Sequence, residues 1–525
     1  MKAGRNRSGA ICALMAASLL GACAQPAVGQ TPSPGEATEA RIDSGLLRGR
    51  LDGDIRSFKG VPYAAAPVGD LRWRPPAAPA PWTGAREADR FGSDCIQNRP
   101  SWDKTQSTLP TSEDCLTLNV WAPRTAAKAP VMVWIHGGGF VMGSGGQPIF
   151  DGSKLAARGV VVVTFNYRLG RFGFFAHPAL TQEAAGAPTG NYGFMDQIAV
   201  LEWVKRNIAA FGGDPANVTL FGESAGGGSV NQLMLAAPAR GLFHKAIVQS
   251  GGGRDMLPAL SAERAGKPSA EASGVAFTEK AGVKDATAAA LRAIPAEKLL
   301  GKLDLLNMEA GTYSGPMIDG VLVKEDADQG FAAGRQAHVP YLVGANSDEF
   351  GMVPGFLRGA MAAGPLKDLG GPGEDLTSAY GSKSALEARL ASDVTFVEPA
   401  RELARLHAAA GQRAWLYSFG YVAEAKRKPQ TGAGHASDLP FVFDTLPAAE
   451  IAPSPADTAA ARLVGDYWVA FARTGDPNGA GRAQWPAYDA KADMLLAVGS
   501  GGAAPAPAGS PALDAIAARQ AKRTR

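Results

Sequence analysis

Only four cysteines and six histidines occur in the 525 residues. They are too few and too scattered for a Cys/His metal cluster, and no H-E-x-x-H string is present, so the residues call for no metal. Charge of one sign is also missing. Fifty-two Lys and Arg stand against 49 Asp and Glu, a formal net charge of +3. The basic residues are scattered instead of forming a stripe with interleaved aromatics, which argues against a nucleic-acid partner. Beyond the first two dozen residues no apolar run reaches membrane-spanning length. What is present is ordinary for a large folded core: 46% hydrophobic and 19% charged residues.

The amino terminus differs in kind. "MKAGRNR" is basic, "ICALMAASLLGA" is apolar but short for a bilayer, and small residues follow. This pattern predicts a signal over residues 1–24, cut either before Cys23, where Leu20-Gly21-Ala22-Cys23 resembles a lipobox, or after Ala24 in an A-x-A pattern. The first cut is preferred, because a cysteine there is otherwise an odd choice. It would leave a lipidated Cys23 anchoring an exported protein to a bacterial membrane; the second would leave it periplasmic or extracellular. With Cys12 and Cys23 so assigned, Cys95 and Cys115 remain as an even pair and are expected to form a disulfide. Closing that loop is worth about 3 kcal/mol in the chain-entropy model. "QPAVGQTPSPGEATEA" reads as a flexible linker, assigned to 25–41.

The body reads as α/β. Asp52-Gly53 between alternating runs predicts a hairpin, and "VMVWIH", "GVVVVTFNY", "KAIVQS", "YLVGAN" and "AWLYSF" are apolar runs of strand length. Ile198, Leu201, Val204, Ile208 and Phe211 recur at helical spacing. Strands alternating with helices predict a mostly parallel central sheet with helices on both faces. Helical stretches over about 253–335 and 352–412 are expected to insert around the mouth of the sheet. "GSGGAAPAPAGSPA" reads as unfolded low-complexity chain, and "LDAIAARQAKRTR" as a solvated basic helix, together a tail over 499–525.

One stretch carries chemistry. "FGESAGGGS" holds Ser224 between Gly222 and Gly226. With 65 glycines, a G-x-S-x-G string arises by chance roughly a few tenths of a time. Its setting adds weight: "NVTLFGE" reads as a strand and "GGGSVNQLMLAA" as a helix, so the serine falls on a tight strand-to-helix turn. A serine there needs a base and a third group that orients the base. His136 and His177 precede Ser224, His244 follows too closely, His338 leaves no room for an acid before it, and His407 lies in a helical stretch. His435, in "GAGHASDLPFVF", sits on a loop after a strand, where such a base belongs. The acid is expected in "YLVGANSDEF", where Asp348 and Glu349 are adjacent and the residues alone leave both open. "HGGGF" at 136–140 lacks the Lys-Ser or Lys-Thr of a phosphate loop and fits an oxyanion loop, with donors from Gly138, Gly139 and Ala225.

Together with "SEDCLTLNV", "NYRLGRFGF", "GNYGFMDQ", "FGGDPANVTLFGESAGG", "GANSDE" and "FARTGDPN", these motifs, in this order, resemble the type-B carboxylesterase family, the α/β-hydrolases that include the cholinesterases. The resemblance runs from about residue 42 to about 490 and implies an α/β-hydrolase domain over 42–498. It implies Glu349 as the acid of a Ser-His-Glu triad and supports the Cys95–Cys115 bridge. The implied activity is hydrolysis of a small-molecule carboxylic ester through an acyl-enzyme, with no cofactor. The same machinery suits amides, thioesters or carbonates, and a non-catalytic recognition domain of the same fold would be expected to lose triad members. Phe350 and Ala436 stand where many members carry glycine, Phe350 in a position to crowd the acid loop. Trp102 lies in a short cysteine loop and is no secure counterpart of the cholinesterase alcohol-binding aromatic.

Overall fold

The structure is a computed structural model that describes residues 36–523 apart from Trp102, Asp255, Pro429 and Thr431. The expected signal, with Cys12 and Cys23, and most of the expected linker lie outside the described residues, as does Trp102.

A 13-stranded sheet forms the frame. Its central strands Val161–Phe165, Ala129–Ile135, Gly213–Glu223, Lys245–Gln249, Tyr341–Asn346, Ala414–Phe419 and Met494–Gly499 are neighbours in that order, and every pair among them is parallel. The runs Val161–Phe165, Lys245–Gln249 and Tyr341–Asn346 are buried at every residue, as strands covered on both faces must be. One face packs against the helix Tyr192–Asn207 through Ile198, Leu201 and Val204 and against Ala225–Leu235. The other packs against Pro455–Thr474 through Val464, Trp468 and Phe471. An antiparallel edge contains the expected hairpin, Gly45–Asp52 against Ile55–Pro62.

Three expectations need correction. Glu36–Ile42 is a strand paired antiparallel with Gly45–Asp52, and Ala40 and Ile42 are buried, so the last residues assigned to the linker belong to the sheet. Through residue 523, the segment expected as a tail over 499–525 is not solvated chain. Gly502–Pro507 pairs antiparallel with Met494–Gly499, because a strand edge accepts any backbone that can extend, Ala- and Pro-rich sequence included. The helix Pro511–Arg523 then buries Leu513 and Ile516 against Leu376, Leu386 and Leu390, while Arg401 pairs with Asp514 at 2.6 Å. The 253–335 stretch is less helical than its alanines suggest: four short helices, Ala270–Lys280, Ala288–Arg292, Ala296–Leu300 and Ala327–Ala332, are joined by turns.

Cys95 and Cys115 are bonded to each other. The loop they close reaches the sheet mouth through Gln97, whose side chain accepts from the Gly143 N–H and donates to the Gly143 carbonyl, both at 2.8 Å.

Candidate active site

Five consecutive strands of the sheet deliver the site, each at its carboxyl end, where an open parallel sheet leaves its crevice. The glycine loop follows Ala129–Ile135, Ser224 follows Gly213–Glu223, Ser250 follows Lys245–Gln249, Glu349 lies beyond Tyr341–Asn346 and His435 beyond Ala414–Phe419.

Ser224 sits between strand and helix with φ 54° and ψ −124°, a strained conformation for a residue with a Cβ. The strain is held by packing. The Ser224 N–H donates to the Gln249 carbonyl at 2.9 Å, and its own carbonyl accepts from Gly228 N–H at 2.8 Å. The flanking glycines answer to close approach: a Cβ at Gly222 would lie 2.5 Å from the Gly226 oxygen, and one at Gly226 would overlap the Ile135 carbonyl. Gly138 takes φ +100°, and a Cβ there would meet the Met142 carbonyl. The N–H groups of Gly138, Gly139 and Ala225 donate to no acceptor among the described residues.

The structure brings the three distant residues together. His435 Nε2 is 2.9 Å from Ser224 Oγ, and His435 Nδ1 is 2.7 Å from Glu349 Oε2. Asp348, the neighbour left open by the residues alone, makes no such contact; its N–H donates to the Ala433 carbonyl. The other Glu349 oxygen accepts from Ser250 Oγ at 2.6 Å and from Asn346 N–H at 2.7 Å. Phe396 stacks on the imidazole with centroids 4.7 Å apart, and Phe350 packs behind Phe396 at 5.8 Å. Phe350 therefore lines the pocket and backs the ring stack instead of crowding the acid. Ala436 takes φ +62°, the left-handed conformation that glycine adopts freely.

Sequence reasoning missed Ser250, Phe396 and Asp438; Glu223, beside the nucleophile, stands out in the sequence, which leaves open whether it tunes charge near the alcohol site or is a structural partner. Ser250 had a signal, being a hydroxyl just past a buried strand beside the elbow; Phe396 had none, since it arrives from a helical insertion. Glu223 is 3% exposed and places Oε1 3.2 Å from His435 Nε2. Asp438, also buried, accepts from Gln249 Nε2 at 2.5 Å and Asn346 Nδ2 at 3.2 Å. Burial pushes the Glu223 carboxyl above the usual carboxylate range, and Asp438 and Glu349 push the same way, while His435 opposes them. Burial pulls the His435 imidazole down, but Glu223, then the hydrogen bond and charge of Glu349, then Asp438 outweigh it, so the ring holds its proton above its ordinary range. By contrast burial takes His136 and His407 down to about 4. Both are packing residues: the His136 ring stacks on Tyr167, and the His407 Nε2 lies 2.9 Å from the Val339 carbonyl.

Two cavities meet at Ser224. One of about 520 Å³ is walled by apolar side chains such as Ile149, Phe150, Tyr421, Leu439 and Phe441 and contains His435 and Glu223. The other, of about 380 Å³, is lined by Phe140, Phe194, Gly228, Leu257 and Pro258. Gly139, Ser224 and Phe396 border both.

The chain matches the model of the carboxylesterase family over residues 36–363 and 374–508. It is 36% identical over 512 residues to a fumonisin B1 esterase of Sphingopyxis macrogoltabida, covering 92% of this chain and 91% of that protein. It is 36% identical over 467 residues to a para-nitrobenzyl esterase of Bacillus subtilis, covering 85% and 91%. The solved structure of a Geobacillus stearothermophilus carboxylesterase superposes with a TM-score of 0.78 at 35% identity, covering 92% of this chain and all of that one. The chain belongs to the carboxylesterase family and is a carboxylic ester hydrolase with the α/β-hydrolase fold.

Proposed function

We propose that Ser224 is the nucleophile, His435 the general base and acid, and Glu349 the group that orients the imidazole. The observation that carries this reading is the position of His435, within hydrogen-bond reach of both companions through its two different nitrogens. Oγ adds to the ester carbonyl while its proton passes to Nε2; Glu349 holds the Nδ1 proton and stabilises the imidazolium. The oxygen that becomes negative is received by the N–H groups of Gly138, Gly139 and Ala225, each such donor worth about 3 kcal/mol in the barrier. The intermediate collapses, the alcohol leaves with the proton from Nε2, and water repeats the sequence on the acyl-enzyme.

His435 lines only the larger cavity, and the departing alcohol must sit where Nε2 can protonate it. The alcohol portion therefore occupies the larger, apolar cavity, and the acyl group the smaller one beside Ala225 and Gly228. Turnover of a panel of nitrophenyl esters and anilides tests the assignment. Ser224→Ala should lower kcat at least about 10³-fold with the protein still folded; retained turnover would remove Ser224 from the mechanism.

The chain is read as exported, its signal cut before Cys23 or after Ala24, with a lipidated Cys23 as the anchor in the first case. The Cys95–Cys115 disulfide supports an oxidising compartment. Mass spectrometry of the mature amino terminus tests this: a lipidated Cys23 or a free Gln25 supports export, and an uncut chain speaks against it.

A further inference from the structure

Seven large apolar side chains are exposed among the described residues, and five of them fall in two short segments: Leu306 and Met308 in one, Met352, Phe356 and Leu357 in the other. Both segments border the larger cavity, which Leu305 and Met352 line directly. Met352 is thus a cavity wall and an exposed residue at once, at 62% exposure; Leu306 is 79% and Phe356 85% exposed. Each is displayed on an ordered turn. Asp304 and Asn307 exchange both backbone hydrogen bonds across the Leu305-Leu306 tip, and Asp304 Oδ1 accepts from Leu306 N–H at 2.8 Å. On the other side the Arg358 guanidinium binds the Val353 and Gly351 carbonyls, fixing the turn that leads into the helix Gly355–Asp368. A third segment reaches the same cavity: Lys426 lines it, and Lys426, Arg427 and Lys428 are exposed in succession.

An apolar rim around the mouth, flanked by a cationic run, has a specific physical meaning. A second protein seated on this rim would cap the mouth and shut the substrate out. A lipid surface would take up the apolar side chains, attract the cations and supply apolar esters at the opening. We infer that this rim docks on an anionic lipid–water interface and draws its ester substrates from that phase. The inference rests on the larger cavity being the route to Ser224, so its test separates docking from chemistry.

The test uses the mature chain from Gln25, which carries neither the apolar signal nor Cys23, and sedimentation with vesicles of phosphatidylcholine and phosphatidylglycerol. The parent should sediment with the vesicles, and Ser224→Ala should do so equally. Leu306→Ser combined with Phe356→Ser should weaken vesicle binding roughly tenfold or more. Its turnover of soluble nitrophenyl acetate, which also reports that the fold is intact, should stay within about twofold. Lys428→Glu should weaken binding to the mixed vesicles and leave binding to pure phosphatidylcholine unchanged. A parent that stays in solution, a double variant that binds like the parent, or a parent dimer that the double variant abolishes would overturn the proposal.

Discussion

The nucleophile side of the site and the imidazole side are built by opposite means. On the first, Ser224, the glycine loop and the Ala225 amide come from two adjacent strands and the turns directly after them. Position there is enforced by backbone contact: Gly222, Gly226 and Gly138 leave no space for a side chain. On the second, Glu349, Ser250, Phe396 and His435 come from four separated segments; a backbone bond from His435 N–H to the Glu349 carbonyl at 2.8 Å ties two of them, but side-chain hydrogen bonds and one ring stack set the reacting groups. The first side tolerates almost no change of shape. The second tolerates shape but depends on charge and proton position.

Substitutions sharpen this contrast, beginning with the largest effect. Gly226→Ala places a methyl on the Ile135 carbonyl, inside the pairing of the two central strands, and should cost several kcal/mol, seen as loss of soluble, cooperatively unfolding protein. Survival of a folded Gly226→Ala enzyme would erase the difference between the two sides.

Glu349→Gln keeps the shape of its side and should leave the fold intact, yet lower kcat by about 10⁴-fold, because the amide no longer holds the Nδ1 proton as an anion does. Steady-state kinetics beside a thermal melt separates the two readouts.

Glu223→Gln removes a negative group 3.2 Å from His435 Nε2. His435 is raised partly by Glu223, and it must be neutral to accept the serine proton. Activity therefore rises as pH climbs through the raised value. In the variant that value falls, and the acid limb of the kcat/KM profile should move down by about one pH unit; an unmoved limb would show that Glu223 carries no charge in the free enzyme.

The smallest effect belongs to Ala436→Gly. Ala436 holds φ +62° one residue past His435, and relieving it should raise stability in urea by about 1 kcal/mol with kcat little changed.

How far the sequence could be read follows the same division. The elbow was legible because strand, Gly222-x-Ser224-x-Gly226 and helix are contiguous, and the glycines signal crowding that a neighbour in the chain largely creates. The central strands were legible as apolar runs separated by helical spacing. Glu349 was not separable from Asp348 by residue type, since both are carboxylates on one turn; the family motif distinguished them, and the fold turns Glu349 inward to Ser250 and Asn346. The carboxyl-terminal segment misled because its Ala-Pro composition resembles free chain: its strand folds back across a tight turn onto the Met494–Gly499 run just before it, and only its helix finds partners far off in the chain, at Leu376, Leu386 and Leu390.

What the amino-acid order settles by itself is local: which runs extend, where the backbone must turn without side chains, and which serine is thrust out at a strand end. Only the tertiary arrangement decides that Phe396 covers His435, that Glu223 and Asp438 surround the imidazole with buried carboxyls, and that two cavities open from one hydroxyl. The reason is distance along the chain: a conformational preference acts on near neighbours, whereas proton affinity and cavity shape depend on groups that meet only after the sheet has assembled.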